Sequence, residues 1–124
     1  MADIMAVAKQ FTDYYYATFD SDRSQLAPLY RNHSMLTFES SQFQGTAAIV
    51  EKLGGLPFTT IQHRVSTMDA QPAATDKASM IVLVTGQLIT GEEANALSFS
   101  QTFHLIPENG GYYVFNDIFR LVYG

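Results

Sequence analysis

Three sets of carboxylates stand where they could do chemistry: Glu39, the pair Glu92-Glu93, and Asp117. Glu39 ends the apolar run "MLTF", which reads as a strand with Leu36 and Phe38 on one face and Met35, Thr37 and Glu39 on the other. It could be a solvated strand end, a general base facing a cavity, or half of a charge contact with another protein. Glu92-Glu93 lies in "TGEEAN", where an ordinary solvated loop is the simplest reading. Asp117, in "YYVFNDIFRLVY", reads first as a buried or dimer-facing residue held by Arg120 or by strand-end amides. Two carboxylates with separated pKa values could instead carry acid–base chemistry if a pocket desolvates one of them.

Other chemistries lack their residues. The chain has no cysteine, which removes disulfides, thiolate nucleophiles and Cys-ligated zinc. His33 and His104 have no partner at metal-ligand spacing, and His63 reads as a hydrogen-bonded core-edge residue, so no metal site is expected. No glycine loop could cradle a phosphate, so no cofactor is expected, and no serine sits on a strand–turn–helix elbow. In Tyr14-Tyr15-Tyr16, Tyr15 is core packing first and a hydroxyl donor second.

Twelve acidic residues against seven basic ones leave no basic stripe, which argues against nucleic acid and for a partner presenting Lys or Arg. The N-terminus lacks the pattern of a signal peptide and no run is long enough for membrane insertion, so the chain reads as intracellular and soluble. Asn32-His33-Ser34 has the form of a glycosylation acceptor, idle without secretion.

The 124 residues make one domain. Ile4, Val7, Ala8, Phe11, Tyr15 and Thr18 follow helical spacing behind Asp3 as N-cap, and Ser21 or Asp22 caps a second short helix through Leu29. Gly45 to Leu53 is a third helix. The period then changes to two. Ile61, His63, Val65, Thr67 and Asp69 share one face of a strand. Ala78 to Ile89 is apolar on both faces, Leu97 to Leu105 alternates, and Tyr112 to Tyr123 follows the turn "PENGG". The fold class is α+β: a cone-like, strongly curved mixed or antiparallel sheet wrapped around the N-terminal helix, with two further short helices, enclosing a cavity.

"FDSDRSQLAPLYRNHSMLTFE", "FQGTAAIVEKLGGLPF", "IQHRVSTMDAQP" and "FSQTFHLIP…YYVFNDIFRL" together resemble the nuclear transport factor 2 family in its fungal form, over nearly the whole chain. The resemblance implies a homodimer that carries Ran-GDP into the nucleus and touches Phe-x-Phe-Gly repeats of nucleoporins at the pore, in cytoplasm, nucleus and nuclear envelope. It implies that Ran inserts an aromatic side chain into a cavity mouth whose rim is acidic. Matched by position, the family's Ran-binding residues fall on Phe38, Glu39, Leu56, Ile61, His63, Glu92, Glu93, Leu97 and Phe119, and its nucleoporin-binding aromatic falls on Ile4. The chain departs from the family at Gly91, where a further Asp is usual, and at Ile4. The rival is a small-molecule isomerase or dehydratase of the same superfamily, using Glu39 or Asp117 with a Tyr donor. That chemistry needs polar groups converging deep in the pocket, whereas the residues assigned to it here are Leu, Ile and Phe. The dimer is expected through the sheet face that the helices leave bare, with residues such as Met80, Phe103 and Tyr113.

Overall fold

The computed structural model describes residues 3–57, 60–75, 78–90 and 96–122. The first helix, α1 (Ile4–Ser21), opens where the Asp3 side chain accepts from the Met5 amide, and it buries Ala8, Thr12, Tyr15, Tyr16 and Phe19. Asp22 then caps a 3₁₀ helix, Arg23–Leu29, by accepting from Ser24. Strands β1 (Tyr30–Phe38) and β2 (Ser41–Gln44) precede α2 (Thr46–Gly54). The remaining strands are β3 (Ile61–Pro72), β4 (Met80–Thr90), β5 (Ala96–Glu108) and β6 (Gly111–Leu121). They form one curved, open sheet in the order β2-β1-β6-β5-β4-β3. Every pairing is antiparallel except β1 with β6, which is parallel. The α+β class and the mixed, curved sheet are as expected.

The short strand β2 was not expected. Glu39 and Ser40 link β1 to β2 with φ of +50° and +79°. Both central residues of a two-residue hairpin loop are thus left-handed, where Asn-Gly is the usual signal. Glu-Ser gives no such signal, so the turn is held by tertiary contacts described below.

The alternation expected in β3 breaks at a bulge between Val65 and Thr67. Ile61 and His63 face inward as expected, but beyond the bulge Met68 and Ala70 pack on the core in place of Thr67 and Asp69. Opposite the bulge sits Gly86. A Cβ built there would stand 2.1 Å from the Arg64 carbonyl oxygen and 3.1 Å from the Phe99 ring. The absent side chain lets β3 bend over β4 and carry the sheet around α1.

The expected dimer residues need correction. Met80 and Phe103 are buried in the chain's own core, because alternation points Met80, Val82 and Val84 inward and the β5–β6 register sets Phe103 beside inward Asp117. Tyr113 is buried too, its hydroxyl 2.8 Å from His33 Nε2. The sheet face turned away from α1 instead presents Ile81, Leu83 and Ile118, which are 40%, 41% and 51% exposed.

Gly86→Ala should destabilise the fold by about 2 kcal/mol or more, because backbone must move to admit the methyl group. Urea unfolding measures it; a change under 0.5 kcal/mol, roughly the scatter of surface substitutions, would show that the close approach is not required.

Candidate functional site

An apolar slot opens between α1, the β1–β2 hairpin, α2 and the sheet. Phe19, Leu36, Phe38, Leu53, Leu56, Ile61, His63, Leu88 and Phe119 wall it, and Gln101 and Asp117 form its floor. Its free volume is about 10 Å³, close to the minimum that holds one water.

Aromatic rings stack along one wall. The parallel β1–β6 register places Phe38 beside Phe119, and their rings stack at 4.7 Å and 7°. Phe119 stacks in turn on Phe99, at 5.7 Å and 15°. The Lys52 ammonium, from the last turn of α2, lies 5.4 Å from the Phe38 ring centroid and 5.7 Å from that of Phe43.

Glu39 stands at the rim with its own chain holding it. Its amide donates to the Phe119 carbonyl at 3.1 Å, and its Oε1 accepts the Leu121 amide at 2.6 Å. Arg120 Nη1 lies 3.7 Å from Oε2 and donates to Ser40 Oγ at 2.6 Å. These contacts fix the left-handed turn. The exposed Arg120 contact contributes little.

His63 is held more tightly. Its side chain is 2% exposed, with Nδ1 2.6 Å from Asp20 Oδ1, and its backbone amide donates to Asp20 Oδ2 at 2.9 Å. The ring stacks on Tyr16 at 4.5 Å. Asp20 was not foreseen: it lies 43 residues away from its partner, and no local pattern links them.

The floor overturns two expectations. Asp117 is 1% exposed and is held neither by Arg120 nor by strand-end amides. Three places apart on a strand, Asp117 and Arg120 point to opposite faces. Its Oδ1 accepts from Gln101 Nε2 at 2.8 Å, and its Oδ2 accepts from the hydroxyls of Tyr30 at 2.8 Å and Tyr15 at 3.3 Å. Gln101 Oε1 accepts from Tyr16 at 2.8 Å. Polar groups do therefore converge at depth, but they satisfy one another. Burial first, and the charge of Asp117 second, push the phenols of Tyr15, Tyr16 and Tyr30 well above their usual range, so they stay neutral donors.

Of the residues singled out from the sequence, Phe38, Leu56, Ile61, His63 and Phe119 do come together around the slot, with Glu39 at its rim. Leu97 is set back: it packs on the core, and its register partner Leu88 lines the slot instead. Ile4 is half-buried in the first turn of α1, against the core. Gly91, Glu92 and Glu93 lie outside the described residues. Among the described residues, no group of three metal-ligating side chains is assembled.

Burial raises the Asp117 carboxyl from an ordinary 3.8 to about 6, against the pull of its hydrogen bonds from Gln101, Tyr30 and Tyr15. A raised folded-state value means that folding favours the protonated form. The associated stability is present in full below about pH 4 and is lost as pH rises through about 6, by about 3 kcal/mol in all. Urea unfolding from pH 4 to 7.5 should show the wild type losing that amount relative to Asp117→Asn. Parallel profiles would contradict the burial of a charge here.

The model of the nuclear transport factor 2 (NTF2) domain matches residues 7–121. Nuclear transport factor 2 of Schizosaccharomyces pombe is 62% identical over 124 residues, covering all of both chains. That of Candida albicans is also 62% identical, over 98% of this chain and 97% of its own. The solved nuclear transport factor 2 of Cryptosporidium parvum superposes with a TM-score of 0.89 at 42% identity, over 96% of this chain and 94% of that one. A match at this identity over the whole of both chains shows the family, and its named members are transport factors and not enzymes: the chain belongs to the nuclear transport factor 2 family.

Proposed function

We propose that the protein binds Ran-GDP at the mouth of the slot and carries it through the nuclear pore into the nucleus, touching Phe-x-Phe-Gly repeats of nucleoporins on the way. The observation that supports this best is an apolar, aromatic-walled slot with a carboxylate at its rim. Interfaces concentrate their energy in an aromatic anchor seated in a desolvated pocket and flanked by charge. Phe38, Leu56, Ile61 and Phe119 would receive the aromatic side chain of Ran. Glu39, with Glu92 and Glu93 beyond the described residues, would meet its basic groups, and the exposed Arg120 is a partner that Glu39 Oε2 could exchange at small cost. Ile4 would contribute to the nucleoporin contact.

Titration against Ran-GDP and Ran-GTP tests this reading. The GDP form should bind and the GTP form should not. Glu39→Gln keeps an acceptor for the Leu121 amide and should weaken binding moderately. Glu39→Lys sets like charges together and should cost roughly a hundredfold or more. Equal binding of the two nucleotide states, or full binding by Glu39→Lys, would contradict it.

The carrier acts, on this reading, as a homodimer through the outer sheet face, where Ile81, Leu83 and Ile118 lie exposed. Apolar area of this kind is what a second subunit covers. Sedimentation at micromolar concentration should give a dimer for the wild type and a folded monomer for Ile118→Asp; a monomeric wild type would exclude the assembly.

A further inference from the structure

We propose that Lys52 is a positioning residue for the mouth: its ammonium holds Phe38 stacked on Phe119, and that contact keeps the slot shut until an entering aromatic side chain wedges it open. The inference rests on reading the slot as the seat of a partner's aromatic ring.

Volume carries the first step. A slot of about 10 Å³ holds one water, whereas a benzene-sized ring needs on the order of 100 Å³ or more. A wall must move. Most of the lining belongs to α1 and to strands paired on both sides, which are packed into the core. The sheet has two edge strands, β2 and β3. Strand β3 is anchored to α1 by the two contacts of His63 with Asp20, whereas the hairpin strand β2 pairs with β1 alone. Phe38, the last residue of β1, closes the mouth from that edge.

Lys52 supplies the second step. A cation in the last turn of a helix complements its dipole, and that alone would account for a surface lysine. Here the ammonium also lies over two rings, Phe38 of β1 and Phe43 of β2. One side chain of α2 thus ties both strands of the hairpin, through contacts that are electrostatic and soft and not through interlocked packing. Without the charge, Phe38 is freer to leave Phe119, and entry costs less.

The chain contains no tryptophan, so Phe38→Trp places a single tryptophan at the mouth, excited selectively at the red edge where tyrosine does not absorb. In that background Lys52→Met should raise acrylamide quenching of Trp fluorescence about twofold, and Lys52→Arg, which keeps a cation over the rings, should leave it unchanged. With Phe38 restored, Lys52→Met should bind Ran-GDP about two- to fivefold more tightly, the range such a contact is worth, and Lys52→Arg should match the wild type. The gain should persist in high salt, where simple removal of a positive charge near an acidic rim would no longer count. Unchanged quenching in Lys52→Met, or affinity that is unchanged, reduced or improved only at low salt, would overturn the proposal. If the wild type fails to bind Ran-GDP, the transport reading falls, while the quenching series still decides what Lys52 does.

Discussion

Asp117 is 1% exposed, and the groups that satisfy it come from three other elements. Tyr15 brings α1, Tyr30 brings β1, and Gln101 brings β5. A polar group buried without partners costs several kcal/mol, so a chain that places a carboxylate here is strongly constrained to bring these elements together. The parallel pairing that sets Leu36 beside Asp117 also sets Phe38 beside Phe119 two residues later. The aromatic wall of the mouth is thus registered by its floor. Replacing Gln101 would leave Oδ1 without its donor, whereas Oδ2 keeps one phenol when the other is lost; replacing Tyr30 would also remove a side-chain tie between the parallel strands β1 and β6.

At the rim, the side chain proposed to meet the partner also has a structural role. Glu39 uses Oε1 to hold the end of β6 through the Leu121 amide, while Oε2, among the described residues, faces a distant, exposed Arg120. The first contact keeps a strained Glu-Ser turn in place, and the second leaves an oxygen open to a better cation. A carboxylate fixed on one side and loosely paired on the other is preorganised, and preorganisation lowers the entropic cost of binding.

The parts of the fold legible in the sequence were those with local periodicity. The Asp3 cap, the existence of α1 and the Leu97–Leu105 alternation follow from spacing alone. The buried face of α1, however, shares only Ala8 and Tyr15 with the face that spacing picks out and runs on through Thr12, Tyr16 and Phe19. The rest depended on contacts distant in sequence. The bulge in β3 is permitted by Gly86 on the next strand, a glycine inside an apolar run whose meaning appears only when Arg64 is seen against it. The Glu-Ser hairpin lacks turn chemistry because Phe119 and Leu121 hold it. At the site, the resemblance to the family named Phe38, Leu56, Ile61, His63 and Phe119, which line the slot, but only the structure gives the Asp20 clamp on His63 and the filled floor. Strand parity with Phe119 could have turned Asp117 inward from the sequence alone; the pull of nearby Arg120 suggested otherwise.

The proposed transport role depends on the partner being met at the mouth of the slot. Hydrogen–deuterium exchange of the protein with and without Ran-GDP tests it most directly. Exchange should slow at the amides of Phe38, Glu39, Leu56, Ile61 and Leu121, with the Gly110–Gly111 turn at the β5–β6 loop unchanged. Binding that leaves the mouth amides unprotected, and slows exchange elsewhere, would contradict it.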